Sequence, residues 1–413
     1  NTTNDIFTLT FVYDFGTLND PELALLGSYF PLLGTPKMTN DEISQKFYDI
    51  ACSYRLSIGG NRSYVTISGL SENMPEALAL VEDIMNNAKA DKEVYGKVAE
   101  QLIKDRNDSK LNQSQNFGKL QRYVIYGPQQ VKRTTLTNEQ ITGTDAKALT
   151  DKLAGFNGME HSVIYYGPMD QNTFTSALNK GHRTPSKLTK APERVTLAAQ
   201  QPQETTFFIA PYDAKQLYMI EYANDGTVFD PQNENIRKIY NEYFGGGMNS
   251  IVFQEMREAR SLAYSAGAYQ GRPDYKGKPY MYLATIATQN DKMEDAISGF
   301  EEIIEEMPLS ESAFGLAKQS LDSRLRTERV IKDAVAWQLL DNRDMGIEGD
   351  MRQSLFEALP ALSLDDVAKY QQERVKGRKY YIGILGNPDD LDLEALEKRG
   401  RVVLLSTEDI FCY

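Results

Sequence analysis

The amino-acid sequence predicts an α+β fold of two tandem homologous domains, each a mostly antiparallel sheet with helices packed on one face. Segments with the period of strands alternate with long amphipathic helical segments in both halves of the chain. Stretches from the two halves also match each other at a nearly constant offset, which indicates an internal repeat. The length of 413 residues agrees with this division, because one hydrophobic core rarely supports so long a chain.

The repeat is clearest in the last part of each half. A shift of 219 positions superimposes two stretches and pairs Thr144 with Ser363, Gly158 with Gly377 and Gly167 with Gly386. Both stretches are typical of a capped helix, a glycine that ends it, and a strand that runs into glycine. Nearer the start of each half, a shift of 210 pairs Phe47 with Arg257 and Tyr54 with Tyr264. A duplicated domain of about 200 residues, with a small insertion, explains both shifts.

A connector separates the two copies. From Gly181 to Thr206 the chain loses aromatic residues and gathers Pro, Lys and Gln, the composition of an exposed linker. We therefore expect a first domain over residues 1–190 and a second over residues 200–413, with the connector as the preferred site of limited proteolysis.

Individual elements can be assigned in each copy. Thr39 and Glu42 form a capping box for one helix of the first half. The other expected elements of that half are strands at residues 7–16 and 62–70 and a helix at 74–88. In the second half the expected elements are strands at 216–224 and 278–288 and helices at 292–307 and 311–330.

The overall charge limits the classes of partner. The chain has 45 Lys and Arg against 58 Asp and Glu, and the net charge of −13 argues against nucleic acid and against anionic membranes. No apolar run reaches the roughly 20 residues that span a bilayer, so we expect no membrane insertion and a soluble protein, periplasmic or cytoplasmic. The first residue is Asn1, which favours a processed or excised fragment. Cys52 and Cys412 have no metal-ligand spacing, and their pairing is open.

Few residues of this sequence could form an independent active site. His161 and His182 are its only histidines, and their separation of 21 positions fits neither a two-histidine zinc helix nor a serine–histidine–acid triad. We therefore expect no metal site and no catalytic residue within this chain alone. An enzyme of small molecules with its own active site has no supporting group of residues.

The stretch FGGGMNSIVFQEMREARSLAY, residues 244–264, is the most distinctive of the chain. Helical spacing predicts one face with Phe253, Arg257, Arg260 and Tyr264 and a buried face with Val252, Met256, Ala259 and Ala263. After Ser261 the alternation predicts a strand with one side formed by Leu262, Tyr264, Ala266 and Ala268. Spacing alone also fits a simpler interpretation, in which Arg257 is a solvated cation and Tyr264 a strand aromatic.

The glycine run before this helix has no phosphate-binding pattern. Gly245, Gly246 and Gly247 are followed by Met248 and then by Asn249 and Ser250, without the Lys-Ser/Thr pair of a nucleotide loop. We expect a flexible or tight turn into the helix, with Asn249 or Ser250 as its cap.

The glycine run, the helix with Phe253 and Arg257, and the Leu-Ala-Tyr that ends on Tyr264 together resemble the final domain of the pitrilysin family of inverted-zincin metallopeptidases. This family includes insulysin and the mitochondrial processing peptidases. The resemblance implies a half-clamshell of two domains that closes with a second half around a peptide. In the family, the first domain of the zinc-bearing half carries His-x-x-Glu-His before a Gly-Thr pair.

This chain has the Gly-Thr pair, at Gly34 and Thr35, but not the zinc motif. Leu25, Ser28 and Tyr29 stand where the first His, the Glu and the second His would be. Leucine cannot bind a metal ion, and Ser28 cannot act as the general base. The resemblance therefore assigns the chain to the zinc-free C-terminal half, with zinc expected in a partner half that is either fused or a separate subunit.

The resemblance also implies roles for Arg257 and Tyr264. In the family the matching residues reach substrate beside the zinc of the opposite half, where a guanidinium can hold a peptide carbonyl or carboxylate and a phenol can donate to the oxyanion. We expect a chain that is inactive alone and supplies this pair to a zinc metallopeptidase acting on peptides. The alternative is a non-catalytic structural or peptide-binding subunit of the same family, like the core proteins of the respiratory bc1 complex. Phe47, opposite Arg257, indicates that the first domain lacks the pair.

Overall fold

The first half of the chain forms a four-stranded antiparallel sheet. A computed structural model describes residues 3–413. The strands of this sheet are β1 (Ile6–Tyr13), β2 (Cys52–Ile58), β3 (Ser63–Leu70) and β4 (Ser162–Tyr166). They are arranged in the order β2-β3-β1-β4, and every neighbouring pair is antiparallel.

The first half contains eight helices within the described residues. They are α1 (Leu23–Tyr29), α2 (Asn40–Asp49), α3 (Met74–Asn87), α4 (Lys92–Lys110), α5 (Gln113–Arg133), α6 (Asn138–Gly143), α7 (Ala146–Gly155) and α8 (Gln171–Gly181). All of them except α5 belong to the layer on one face of this sheet. The capping box expected at α2 is confirmed, since the Thr39 hydroxyl accepts from the Glu42 N–H and the Glu42 carboxylate accepts from the Thr39 N–H. Apolar residues of β1, α1, α3 and α7 form the core.

The second half forms a six-stranded mixed sheet. Its strands are β5 (Thr206–Pro211), β6 (Gln216–Ala223), β7 (Ala263–Gly271), β8 (Met281–Gln289), β9 (Tyr381–Gly386) and β10 (Arg401–Leu404). The order is β10-β5-β9-β6-β8-β7. Only the pairs of β5 with β9 and β10 are parallel, so the α+β class with mostly antiparallel pairing is confirmed.

The helices of the second half are α9 (Glu234–Phe244), α10 (Ile251–Phe253), α11 (Met293–Glu305), α12 (Glu311–Thr327), α13 (Ala334–Met345), α14 (Met351–Ala358), α15 (Leu364–Arg374), α16 (Leu393–Arg399) and α17 (Thr407–Phe411). A π-helical turn, Gln254–Ala259, follows α10 directly. Within residues 3–413 no helix combines the length and the apolar character that crossing a bilayer requires.

The two sheets share one topology. The strands β7, β8, β6 and β9 repeat the order and the antiparallel pairing of β2, β3, β1 and β4, and β5 and β10 are additions to the second copy. The turn that leads from helix to edge strand is repeated in detail. Ala51 and Ser261, which are 210 positions apart, both have positive φ angles, of 48° and 49°. Such angles are uncommon for residues with a side chain, so the same strained turn occurs in both copies.

The second sheet is covered on both faces. Helices α9, α11, α12 and α15 pack on one face, as expected. The other face packs against α17 and against α5, whose Leu120 and Val124 are fully buried with Ile220 and Leu385 of the sheet. Helix α5 precedes the connector in sequence, yet it completes the core of the second sheet.

A buried ion-pair cluster joins the halves. Asp344, in α13, is 8% exposed, and its Oδ2 lies 2.8 Å from Arg62 Nη1 and 3.0 Å from Arg194 Nη1. Arg62 immediately precedes β3, and Arg194 lies in the connector. Beside this cluster, Leu340 of α13 packs against Val12 on the face of the first sheet that the first-half helices leave open.

We predict that Asp344→Ala lowers the free energy of unfolding by about 3 kcal/mol, the lower end of the range for a broken buried ion pair, because Arg194 loses its closest carboxylate and Arg62 keeps only Asp14. Asp341→Ala is the matched control, since Asp341 on the same helix pairs with Arg272 at a more exposed position and its loss should cost less than about 1 kcal/mol. Denaturant unfolding of both variants measures the difference. Equal losses would contradict the special role of Asp344.

A second buried carboxyl group lies in the core of the second sheet. Glu221 of β6 is 3% exposed, and its Oε2 has no hydrogen-bond partner within the described residues. Burial, with a smaller contribution from the negative charge of Glu301, raises the pKa of Glu221 from 4.5 to about 8. Glu221 therefore holds its proton in the folded state at pH values where the unfolded chain has lost it.

This raised pKa has a defined effect on stability. The folded state binds one more proton than the unfolded state between pH 4.5 and about 8, so stability falls as pH rises through this interval, by at most about 1.4 kcal/mol per pH unit. We predict that Glu221→Gln removes this decline, because the amide is neutral at every pH. Thermal melts at pH 5, 6.5 and 8 test it: the wild type should lose melting temperature relative to the variant, and parallel curves would disprove the effect.

Candidate functional site

The segment that carries Arg257 is a short α-helix that widens into a π-helix. Ser250 caps it, as expected, because its hydroxyl accepts from the Phe253 N–H. From Gln254 the hydrogen bonds change, and the Arg260 N–H donates to the Glu255 carbonyl, five residues earlier. Single π-helical turns occur frequently at functional sites.

The π-helix changes which side chains share a face. Val252 and Met256 are fully buried, as predicted, but Ala259 is exposed. Arg260 also leaves the predicted face, because its Nη2 lies 2.6 Å from Glu302 on α11. The prediction of an ordinary α-helix was wrong here, since a turn with i to i+5 hydrogen bonds rotates each later side chain away from its α-helical position.

A β-bulge places Tyr264 in solvent. Ala263 pairs with Thr288 and Ser265 pairs with Ala287, so Tyr264 is an extra residue in β7. The prediction that Tyr264 lies on the same side of the strand as Leu262 and Ala266 is therefore wrong. Leu262 is buried, whereas Tyr264 is 79% exposed. A bulge redirects a side chain in this way, and it follows the positive φ angle of Ser261 directly.

These two irregularities bring Arg257 and Tyr264 together. The Arg257 Cζ lies 5.0 Å from the centre of the Tyr264 ring and 4.8 Å from the centre of the Phe253 ring. The guanidinium thus contacts two aromatic rings at cation–π distance. Glu258 Oε1 lies 3.4 Å from Arg257 Nε. Sequence reasoning did not single out Glu258, which follows Arg257 directly and adds no periodicity.

The first copy uses the equivalent positions differently. Phe47 and Tyr54 pack with ring centres 4.4 Å apart and planes tilted by 34°, in the place of Arg257 and Tyr264. Phe47 is 4% exposed, so this pair belongs to the core. The same pairing of a helix with an edge strand therefore presents a cation at the surface in one copy and buries an aromatic pair in the other.

The glycine run fits closely against β7 at one position. A Cβ on Gly245 would collide with the backbone N and O of Ala268, and one on Gly246 would come within 2.7 Å of the Asn241 carbonyl oxygen. A Cβ on Gly247 would meet nothing within 4 Å. Gly245 is therefore required by close backbone contact with the strand that carries Tyr264.

We predict that Gly245→Ala lowers the free energy of unfolding by about 1–3 kcal/mol, because the methyl group must push the helix away from β7. Gly247→Ala is the matched control and should stay within about 0.5 kcal/mol of the wild type. Chemical denaturation measures both. A destabilised Gly247→Ala with an unaffected Gly245→Ala would reverse the assignment.

Two of the three positions of the absent zinc motif, Leu25 and Tyr29, are part of the core, whereas Ser28 is exposed. Leu25 is 2% exposed and Tyr29 is fully buried, with the Tyr29 hydroxyl bonded to the backbone of Asp91. Ser28 points its hydroxyl at the Ala24 carbonyl of its own helix. These residues do not fit a zinc ion. Across residues 3–413, no group of three or more His, Cys, Asp or Glu side chains is arranged to hold a metal ion.

The two histidines lie together despite their separation in sequence. Their Nε2 atoms are 3.0 Å apart, and Nδ1 of His182 is 2.5 Å from Glu82 Oε1. No spacing rule could have indicated this contact, because it joins the end of α8 to the residue before β4. The cysteines are both free thiols, Cys52 partly exposed and Cys412 buried.

Comparisons with known proteins agree with this architecture. Residues 164–321 match the family described as the peptidase M16 inactive domain. A protein of Rickettsia felis, named as an uncharacterized zinc protease, is 24% identical over 277 residues. That match covers 63% of this chain and 62% of the relative.

Solved structures share the fold over nearly the whole chain. A peptidase M16 inactive domain from Pseudomonas fluorescens has a TM-score of 0.71 and 13% identity, with 94% of each chain covered. The periplasmic protease PqqL of Escherichia coli has a TM-score of 0.70 and 10% identity, and the match covers 93% of this chain and 43% of that protein. The first structure is thus similar in extent to this chain, whereas the second contains much more.

The family match, the named relative and the fold confirm the resemblance in the sequence to pitrilysin-type peptidases. The matching family is described as the inactive domain. Residues 164–321 of this chain are therefore similar to the peptidase M16 inactive domain, and the chain is similar to proteins named as zinc proteases.

Proposed function

We propose that the chain is the C-terminal, non-catalytic half of an M16-type zinc metallopeptidase, which encloses a peptide and supplies Arg257 and Tyr264 to a zinc site on a partner half. The observation that carries this proposal is the contact of the Arg257 guanidinium with the exposed Tyr264 ring. The chain reaches this contact through a π-helix and a β-bulge, two irregularities that ordinary packing of a helix and a strand would not require.

The pair can perform two complementary tasks. The Arg257 Nε is beside Glu258, which leaves the Nη donors to hold a carbonyl or carboxylate of the peptide. The Tyr264 hydroxyl, on a ring that is mostly in solvent, can donate to an oxyanion that develops on a scissile carbonyl. Phe253 also contacts the guanidinium and thus helps to position Arg257.

A partner half must provide the rest of the site. The positions of the two zinc-binding histidines are occupied in this chain by Leu25 and Tyr29, which are packed into the core, so we place zinc in the partner half and no catalytic residue in this chain alone. The partner could be fused, since the matching protease of E. coli is much longer, or separate, since the P. fluorescens structure is similar in extent. The same protease supports a periplasmic location as the working proposal.

The alternative is a structural or peptide-binding subunit without proteolysis. An exposed Tyr264 beside an Arg257 with free donors favours the peptidase, because a structural subunit has no need of this pair. The first copy illustrates the difference, since in its equivalent pair Phe47 is buried in the core and Tyr54 packs against it.

We predict that Tyr264→Phe lowers kcat by about a hundredfold when the chain acts with its zinc-bearing half, on the order of 3 kcal/mol. Arg257→Ala should lower kcat and also raise KM, because it holds the substrate. Both side chains project from the surface, so thermal melts should be nearly unchanged. Steady-state kinetics on a peptide substrate measures these effects.

Two substitutions serve as matched controls. Arg260→Ala removes a cation close to Arg257 in sequence, which pairs with Glu302. Tyr269→Phe removes a hydroxyl from β7, the strand that also carries Tyr264. Neither should change kcat more than about twofold. The proposal fails if the site variants match their controls in kinetics, and the structural alternative gains if the complete two-half assembly binds peptide without cleaving it.

A further inference from the structure

A chain of hydrogen bonds runs through the interior of the first half. It begins at Glu82 of α3, passes through His182 at the end of α8 and through His161 before β4, and ends at the Met159 carbonyl. The side chains of His182 and Glu82 are 8% and 13% exposed. These hydrogen bonds thus join three elements of the fold at the point where the connector begins.

The groups at the two ends of this series of hydrogen bonds fix the number of protons that it holds. The Met159 carbonyl can only accept, so His161 must donate to it from Nδ1, 2.7 Å away. The Glu82 carboxylate also accepts, so His182 must donate from its own Nδ1. Two neutral rings would then direct lone pairs at each other across the 3.0 Å between the Nε2 atoms. One additional proton between the two Nε2 atoms turns this contact into a hydrogen bond of ordinary length.

We propose that His161 and His182 share a single proton between their Nε2 atoms, and that this proton holds the start of the connector against the first sheet. The positive charge resides on the His182 ring, because Glu82 is its direct counter-ion. His161 is the neutral acceptor. The pair is bound when it carries one proton and is opened by the loss of that proton or by the gain of a second.

The surroundings of the pair support this assignment. Burial lowers the pKa of His161, which keeps that ring neutral. The Phe11 ring centre lies 4.6 Å from the His182 ring, and the Tyr13 ring centre lies 5.0 Å from His161. The titratable groups that face the pair are Glu82 from α3 and Tyr13 from β1, and burial with the Glu82 charge raises the pKa of Tyr13, so its hydroxyl stays neutral.

The remaining contacts orient Glu82. Asn157 and Asn86 each place an amide nitrogen 3.3 Å from Glu82 Oε2, the oxygen that does not contact His182. Lys180 and Arg183, which flank His182 in the chain, are exposed. Glu82 is therefore the one carboxylate within hydrogen-bond distance of these rings in the described part of the chain.

The shared proton controls a short loop at the start of the connector. Residues 183–187 are all exposed. The loop is fixed again at Thr189, whose N–H donates to the Gly158 carbonyl and whose carbonyl accepts from the Glu160 N–H. Opening the histidine pair leaves this second attachment in place, so it frees the end of α8 and the loop rather than the whole connector.

The protonation state can be measured directly by nitrogen NMR, because these are the only histidines of the chain. With 15N-labelled histidine at pH 7, the two rings should carry three protons on their four nitrogens, with both Nδ1 atoms protonated and one proton coupled to both Nε2 atoms. A total of two protons, or an unprotonated Nδ1 on His161, would overturn the proposal. Addition of zinc chloride should leave the spectrum unchanged, and a bound zinc ion would also overturn it.

Hydrogen exchange tests the mechanical consequence. After correction for the intrinsic effect of pH, amide exchange in residues 183–188 should rise about tenfold as the proton is lost on the alkaline side, the effect of unpairing one buried polar group. His161→Gln should abolish the alkaline rise, since an amide can donate or accept. Glu82→Gln should raise exchange in residues 183–188 already at pH 7, because the carboxylate that holds the His182 ring is gone. A rise that is identical in the wild type and in His161→Gln would refute the role of the pair.

Discussion

The ion pairs of the Asp344 carboxylate are the interactions on which the arrangement of the two halves depends. The carboxylate neutralises one guanidinium from the first sheet and one from the connector, and it does so from a helix of the second half. A buried pair of this kind contributes little net stability after desolvation, but breaking it is costly and its geometry is specific. The cluster therefore fixes how the halves meet more than how strongly they hold together. The position of Arg257 relative to the first half follows from that geometry.

The duplicated turn shows how one scaffold serves two purposes. Ala51 and Ser261 take the same strained conformation, so helix and edge strand are joined by the same kind of turn in both copies. Side chains seven positions apart then meet across that angle in both copies. An aromatic pair makes the contact hydrophobic, whereas an arginine and a tyrosine make it a cation–π contact that remains available to a ligand.

Much of the fold follows from local pattern, because strand alternation, capping boxes and glycine stops are properties of short segments. The strand expected at residues 216–224 is found at Gln216–Ala223, and Ser250 caps its helix. The details of the site are not local. Whether a turn closes with α or π hydrogen bonds, and whether Tyr264 is an extra residue in its strand, depends on the register with β8. The meeting of His161 and His182 likewise depends on tertiary packing alone.

The packing of α5, a first-half helix, against the second sheet has a consequence for the folding of the chain. This helix lies on the N-terminal side of the predicted boundary, yet its apolar side chains complete the core of the second sheet. The repeated segment of sequence therefore does not coincide with a folding unit. The C-terminal sheet without residues 113–133 would expose a large apolar face, and the N-terminal part alone would present an unpartnered helix. The two copies are therefore interdependent, because a helix that precedes the connector completes the core of the second sheet.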